Sequence, residues 1–248
     1  IIKLMKNKNI KKNNKKYSLG DNIFSKNGKW SFSGETTKNF DSHITRSVPL
    51  YLEGHKIIKK ISKFCLSKKS ICYDVGCSTG SLLDKLAKDD KKTQFIGIDI
   101  EKNMIKFANS KKKFKNINFV CDDVMKYKFK KADLIISYYT AQFMNPKYRQ
   151  DFYNKIYNSL NWGGMFILFE KIRGSDARFQ EIYYNLYNEF KLSQGFTNSE
   201  IMNKEKSLIG VMNPFTERAN HDFLTRAGFI DIEYVMKEIC FSGLVAIK

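Results

Sequence analysis

The chain has 248 residues, 42% of them hydrophobic and 14% aromatic, and 44 Lys+Arg against 25 Asp+Glu give a formal net charge of +19. This size and apolar content suit one α/β domain with additions, and no run of roughly eighteen apolar residues is present, so no membrane span is expected. Five cysteines without a C-x-x-C pair (Cys65, Cys72, Cys77, Cys121, Cys240) and three scattered histidines (His43, His55, His221) point away from a disulfide framework and from zinc, towards a reducing, cytoplasmic setting.

The positive excess suits a polyanion such as RNA. It is mostly Lys interleaved with Asn along the whole chain, which is also what an A+T-rich genome writes on any protein surface. Residues 1–20 are a Lys/Asn run, and 1–29 are read as a basic, flexible N-terminal arm. The chain begins with Ile; Met5 is a candidate start, and a removed targeting segment is left open. Residues 30–248 are read as a single domain. Its first part, 30–52, carries Trp30, Phe32, Phe40, Ile44, Val48, Tyr51 and Leu52, with Pro49 breaking any helix, and is expected to be a lid or brace.

From Leu50 to Leu66, Ile57, Ile58, Ile61, Phe64 and Cys65 recur at helical steps. Ile71-Cys72-Tyr73-Asp74-Val75 is a strand that breaks into Gly76-Cys77-Ser78-Thr79-Gly80 and resumes as a helix at Ser81. Strand, glycine turn and helix in that order aim a helix N-terminus and free backbone N–H groups at a ligand, although such units also serve as plain turns. Strands at 93–100, 117–121, 132–139 and 165–170 alternate with helices near 102–112 and 147–160, which predicts a mostly parallel sheet covered on both faces. Residues 175–212 interrupt the alternation with two helices, one striped by Phe179, Ile182, Tyr183, Leu186 and Phe190, the other opened by a Thr197/Glu200 capping box. This insert is expected to cover the site. A helix around 217–227 and two closing strands follow.

Three strand ends converge beyond the sheet. Asp99, about twenty residues after the glycine loop, is placed to accept from ribose hydroxyls, and Asp123 stands where an adenine amino group is held. The loop lacks the three-glycine pattern of dinucleotide folds, which favours S-adenosylmethionine over a pyrophosphate. Taken singly, Asp99 also reads as a helix N-cap and Asp123 as a solvated strand-end acid.

Phe40-Asp41, Arg46-Ser47-Val48-Pro49-Leu50-Tyr51, Tyr73-Asp74-Val75-Gly76-Cys77-Ser78, Tyr139-Thr140-Ala141-Gln142-Phe143, Glu170-Lys171 and Phe223-Leu224 through Ala227-Gly228-Phe229 together resemble the carboxy-S-adenosylmethionine synthases. The resemblance implies a class I methyltransferase (Rossmann-like) fold with seven strands. It implies S-adenosylmethionine, or a carboxylated derivative, held at Tyr51, Gly76, Cys77, Ser78, Asp99 and Asp123; Ile100, Val124 and Tyr138 complete the expected set. It also implies a homodimer. The family usually has Asn where this chain has Tyr138, and an Arg that grips the extra carboxylate where this chain has Glu205. Lys204 and Lys206 flank Glu205 but point about 100° away on a regular helix.

Exchanging that Arg for Glu205 favours a methyltransferase using ordinary S-adenosylmethionine by direct in-line transfer to an unknown acceptor, a small molecule or RNA. The alternatives are a carboxy-S-adenosylmethionine synthase acting in tRNA wobble-uridine modification, and a catalytically degenerate member that binds RNA or an assembly. Tyr51, Tyr138, Glu170 and Glu205 are the candidate pocket residues, and no general base is assigned.

Overall fold

The computed structural model describes residues 16–26, 28, 30–32 and 35–248. Its centre is a seven-stranded sheet formed by β3 (Ile71–Val75), β4 (Gln94–Asp99), β5 (Ile117–Cys121), β6 (Ala132–Tyr138), β7 (Leu160–Lys171), β8 (Asp231–Glu238) and β9 (Phe241–Ile247). The order across the sheet is β5-β4-β3-β6-β7-β9-β8. β3 to β7 are parallel, and β9 runs antiparallel to both β7 and β8. The expected mostly parallel, class I methyltransferase sheet is therefore present. β4 and β5 lie to one side of β3, β6 and β7 to the other, so the strand order reverses between β3 and β6, the place where an open α/β sheet leaves a crevice.

Alternate side chains of each central strand enter opposite cores, as the two-residue strand period requires. Cys72, Leu134, Ile136, Ile167 and Phe169 pack with α2 (Tyr51–Cys65), α3 (Ser81–Asp89) and α4 (Lys102–Lys111). Tyr73, Ile135, Phe166 and Leu168 pack on the other face with α5 (Arg149–Ser159) and α8 (Glu217–Ala227). Phe152 of α5 is fully buried, which contributes roughly 1.5–3 kcal/mol for a side chain of that size.

Several local expectations shift. Gly163 and Gly164 lie inside β7, which starts at Leu160 and pairs through a register shift with β6, so the glycines accommodate an irregularity within the strand. Phe64, expected on the apolar face of α2, is 84% exposed; that face is built by Gly54, His55, Ile58 and Ser62.

Residues 16–26, expected in the flexible arm, form a hairpin of β1 (Lys16–Ser18) and β2 (Phe24–Lys26), with Leu19 and Ile23 each only 1% exposed. Residues 1–15 of that arm lie outside the described residues. α1 (Glu35–Ser47) follows. The insert consists of α6 (Ala177–Ser193) and α7 (Asn198–Leu208), the latter opened by the expected capping box of Thr197 and Glu200. The hairpin docks on α7: the Ser18 hydroxyl donates to Glu200 at 2.9 Å and the Asn203 amide to the Ser18 carbonyl at 3.2 Å. Among the described residues, no helix is long and apolar enough to cross a membrane.

Candidate functional site

A cavity of about 800 Å³ lies where β3 to β7 end, and residues of α1, α6 and α7 also line it. Tyr51, Gly76, Cys77, Ser78, Asp99, Ile100, Asp123, Val124, Tyr138 and Glu205 all line it. Glu170 does not. It is 1% exposed and turns away to the buried Arg149, whose Nη1 lies 3.3 Å from Oε2, while Oε1 accepts the Gln142 N–H at 3.0 Å. Gln142 Oε1 in turn accepts the Lys171 N–H at 2.6 Å, so Glu170 orders the end of β7 without touching the cavity. Burial, opposed by Arg149, pushes the Glu170 carboxyl up to about 7.

The glycine loop differs from expectation in how it uses its amides. The N–H groups of Gly76 and Cys77 both donate to the Ile98 carbonyl, at 2.7 and 3.1 Å, and that of Ser78 donates to Asp99 Oδ2 at 2.8 Å. These donors are satisfied by β4 because the loop folds back over the neighbouring strand end. The glycines serve close packing. A Cβ on Gly76 would lie 2.2 Å from Thr140, and one on Gly80 would lie 2.3 Å from the Phe119 ring, with both residues at φ near +77. Thr79 ties the loop to α1 by donating to Asp41 Oδ1 at 2.5 Å.

Asp99 is no helix cap, since Glu101 holds that position. Its Oδ1 accepts the Glu101 N–H at 2.9 Å, which together with Ser78 fixes the carboxylate at the cavity wall. Each carboxylate oxygen keeps a second lone-pair site, enough to receive a diol. Burial raises its pKa against these two bonds. Asp123 Oδ1 accepts the Met125 N–H at 2.9 Å, so its carboxylate is likewise held by its own turn.

Asp74, on the cavity floor, stood in the loop motif without a role in the sequence reading. It is 2% exposed, its Oδ1 has no hydrogen-bond partner, and burial, with the Asp99 charge adding to it, pushes its pKa up to about 7. An orphaned acid there suits a ligand ammonium. Tyr51 and Tyr138 form an aromatic wall, with ring centroids 5.0 Å apart and the Tyr138 hydroxyl donating to the Tyr51 carbonyl at 2.5 Å. Burial raises both phenols above their ordinary value.

The insert departs most from the sequence reading. Phe179, Ile182 and Leu186 of the expected apolar stripe are 44–49% exposed. The inward stripe of α6 is Tyr183, Tyr187 and Lys191 at four-residue steps. Lys191, 3% exposed, sits 2.9 Å from Glu205 Oε1, and the Tyr184 hydroxyl donates to Oε2 at 3.1 Å. Lys171 and Lys191 stand over the Tyr187 ring at 4.4 and 4.3 Å. Lys204 also faces the cavity, against the expectation that it points away. Its Nζ is 2.6 Å from His43 Nε2 and 3.1 Å from Ser47 Oγ, because α1 packs across this side of α7; Lys206 is exposed. Glu205 is thus one carboxylate among three lysines. The helical alternation Lys204-Glu205-Lys206 hinted at this cluster, but Lys171 and Lys191 come from other elements and left no local signal.

The orphaned Asp74, the diol-ready Asp99 and a cavity of this volume fit S-adenosylmethionine. A methyltransferase-domain family model matches residues 72–164. Carboxy-S-adenosyl-L-methionine synthases are similar along most of the chain. That of Staphylococcus epidermidis is 38% identical over 88% of this chain and 97% of its own length. That of Campylobacter lari is 35% identical over 93% of this chain and 100% of its own. Among solved structures, the plantazolicin methyltransferase BpumL in complex with SAH superposes with a TM-score of 0.63 at 13% identity, covering 86% of this chain and 89% of that one. A putative O-methyltransferase from Nostoc punctiforme gives 0.62 at 15% identity over 86% of this chain and 59% of that one. With relatives this similar over almost their whole length and a matching sheet, the chain is a transferase of the carboxy-S-adenosyl-L-methionine synthase family, built on the class I methyltransferase fold.

Proposed function

We propose that the protein binds S-adenosylmethionine along Asp74, Ser78, Asp99, Ile100, Asp123 and Val124 and transfers its methyl group in line to an anionic small molecule. The observation that carries this is one continuous cavity with acids at the β3–β5 ends and Lys171, Lys191 and Lys204 under the insert. When bound, S-adenosylmethionine supplies an already activated sulfonium methyl. What the protein adds is placement and exclusion of water by α1, α6 and α7. Lys171 is the cation available to the acceptor: its ammonium has no carboxylate partner among the described residues, whereas Lys191 already has Glu205.

A second reading is that the ligand carries an extra carboxylate, as the names of the relatives state for their product. The Lys191–Glu205 contact favours it, because it offsets the repulsion expected of Glu205 and leaves Lys171 to receive that carboxylate. Mass spectrometry of the small molecule that co-purifies with the protein separates the two. S-adenosylmethionine or its demethylated product alone supports methyl transfer, and a species heavier by one carboxyl supports the second reading. No adenosyl compound, together with no measurable affinity for S-adenosylmethionine, removes both.

The apolar residues exposed along α6, with Met202 of α7 and Ile209 just after it, support a homodimer, to be tested by light scattering. The +19 charge supports an RNA partner, for which binding should weaken steeply with salt. Five free thiols support a reducing compartment.

A further inference from the structure

We propose that Lys204 is the proton acceptor of the cavity, oriented by a buried hydrogen-bond chain running from Asp21 through His43. The hydrogen-bond directions follow from which atoms carry protons. His43 Nδ1 lies 2.9 Å from Asp21 Oδ2; a carboxylate only accepts, so the ring proton sits on Nδ1. His43 is 1% exposed, and burial, with Lys204 and Arg46 nearby, pulls its imidazolium down to about 2, so Nε2 keeps a lone pair. Lys204 therefore donates to His43 Nε2. The Ser47 hydroxyl spends its proton on the His43 carbonyl at 2.7 Å, so it too accepts from Lys204. Two N–H bonds of Nζ are committed to neutral partners, and the remaining position on nitrogen is left for the cavity that Lys204 lines.

The charged groups around Nζ leave a third proton without a counter-ion. From α6 comes Lys191 and from β7 Lys171, both cationic. Glu205, on the same helix, is held by Lys191 and Tyr184. Asp21, from the turn before β2, is shared between His43 and the Arg46 guanidinium of α1. Burial, then the like charges of Lys191 and Lys171, pull the Lys204 ammonium down to about 7.

The role rests on the transfer reaction proposed above. An O–H, N–H or acidic C–H proton of the acceptor passes to the Nζ lone pair, giving an ammonium. The acceptor atom keeps the electron pair and forms the bond to the transferred carbon, and the pair of the breaking carbon–sulfur bond leaves with sulfur. Asp21 and His43 are positioning residues, because they act only through Lys204.

Trace labelling of the full-length protein with acetic anhydride between pH 5.5 and 10, read peptide by peptide by mass spectrometry, tests this. Lys204 should acetylate with a midpoint near 7. A free lysine derivative added to the same reactions gives the reference rate, an ordinary side-chain amine having roughly one-thousandth of its molecules deprotonated at pH 7.5. Asp21→Asn should lower the Lys204 midpoint by about one unit, because the carboxylate favours the ammonium. A Lys204 midpoint above about 9, or no labelling of Lys204 at any pH, overturns the proposal; an unmoved midpoint in Asp21→Asn overturns the role of the hydrogen-bond chain. Calorimetry with S-adenosylmethionine on the same protein keeps the two readings apart. Tight binding with a Lys204 midpoint above about 9 sinks only the proton acceptor. No binding with a midpoint near 7 sinks the transfer reaction and leaves the neutral amine standing.

Discussion

Lys191 Nζ on α6 and Glu205 Oε1 on α7 are 2.9 Å apart, joining the two insert helices at the wall of the cavity. The lysine side chain is 4% exposed and the glutamate 33%, so the cation depends on this contact far more than the anion does. Glu205→Gln should destabilise the protein by about 1–2 kcal/mol, less than a fully buried pair because solvent already screens the carboxylate. Lys191→Met combined with Glu205→Met should recover most of that loss. Urea unfolding of Lys191→Met, Glu205→Met and the double variant gives the coupling directly.

Asp99 supports the glycine loop and faces the cavity with the same two oxygens. Asp99→Asn turns an NH₂ towards either the Ser78 or the Glu101 amide, which are now donors facing a donor. Affinity for S-adenosylmethionine should fall about 30–100-fold, or ~2–3 kcal/mol, by calorimetry. An unchanged affinity would place the ribose elsewhere.

Asp74 sets a pH dependence. Its folded-state pKa of about 7 is above the ordinary 3.8, so between those values the folded protein holds a proton that the unfolded chain releases. Stability from this group is therefore full below about pH 4 and is lost as pH rises through about 7. Asp74→Asn should flatten that decline and raise stability at pH 8 by about 1–3 kcal/mol, while weakening S-adenosylmethionine binding through loss of the ammonium partner. Melting curves at pH 5 and pH 8 measure the first effect.

Gly80→Ala carries two separable penalties: a left-handed φ of +76 and a Cβ 2.3 Å from Phe119 Cζ. Together they should cost about 2–4 kcal/mol. Adding Phe119→Leu should relieve the clash and leave roughly 1 kcal/mol of backbone strain. Chemical denaturation of both variants tests the division.

Removing the guanidinium in Arg149→Met leaves Glu170 buried with no counter-charge and frees the Met144 and Asn213 carbonyls, which accept from Nη2 at 3.3 and 3.2 Å. The expected cost is about 2–4 kcal/mol at neutral pH, mostly from the two unmet carbonyls because a carboxyl already at about 7 takes up a proton once Arg149 is gone, read by thermal or urea unfolding.

The sequence by itself determined the sheet and its acidic edge. Unbroken apolar runs such as Leu134-Ile135-Ile136 have nowhere to go but a strand buried on both faces, Asp99 closes β4, and Asp123 stands two residues past β5, so these crevice residues were legible from local order. Tertiary structure alone decided which side chains complete the cavity. Tyr187 and Lys191 look like an ordinary polar helix face until α6 is laid over β7, and Lys204 looks solvated until His43 and Ser47 of α1 accept its protons. The hairpin at 16–26 left no such signal, because Leu19 and Ile23, each 1% exposed, are isolated apolar residues in a polar stretch. Glu170 shared a motif with Lys171, yet the strand pleat sends the neighbours to opposite sides, the acid to Arg149 and the lysine to the cavity. Strand patterns follow from neighbours in sequence; the basic side of this cavity comes from Lys171 of β7, Lys191 of α6 and Lys204 of α7, and only their packing reveals it.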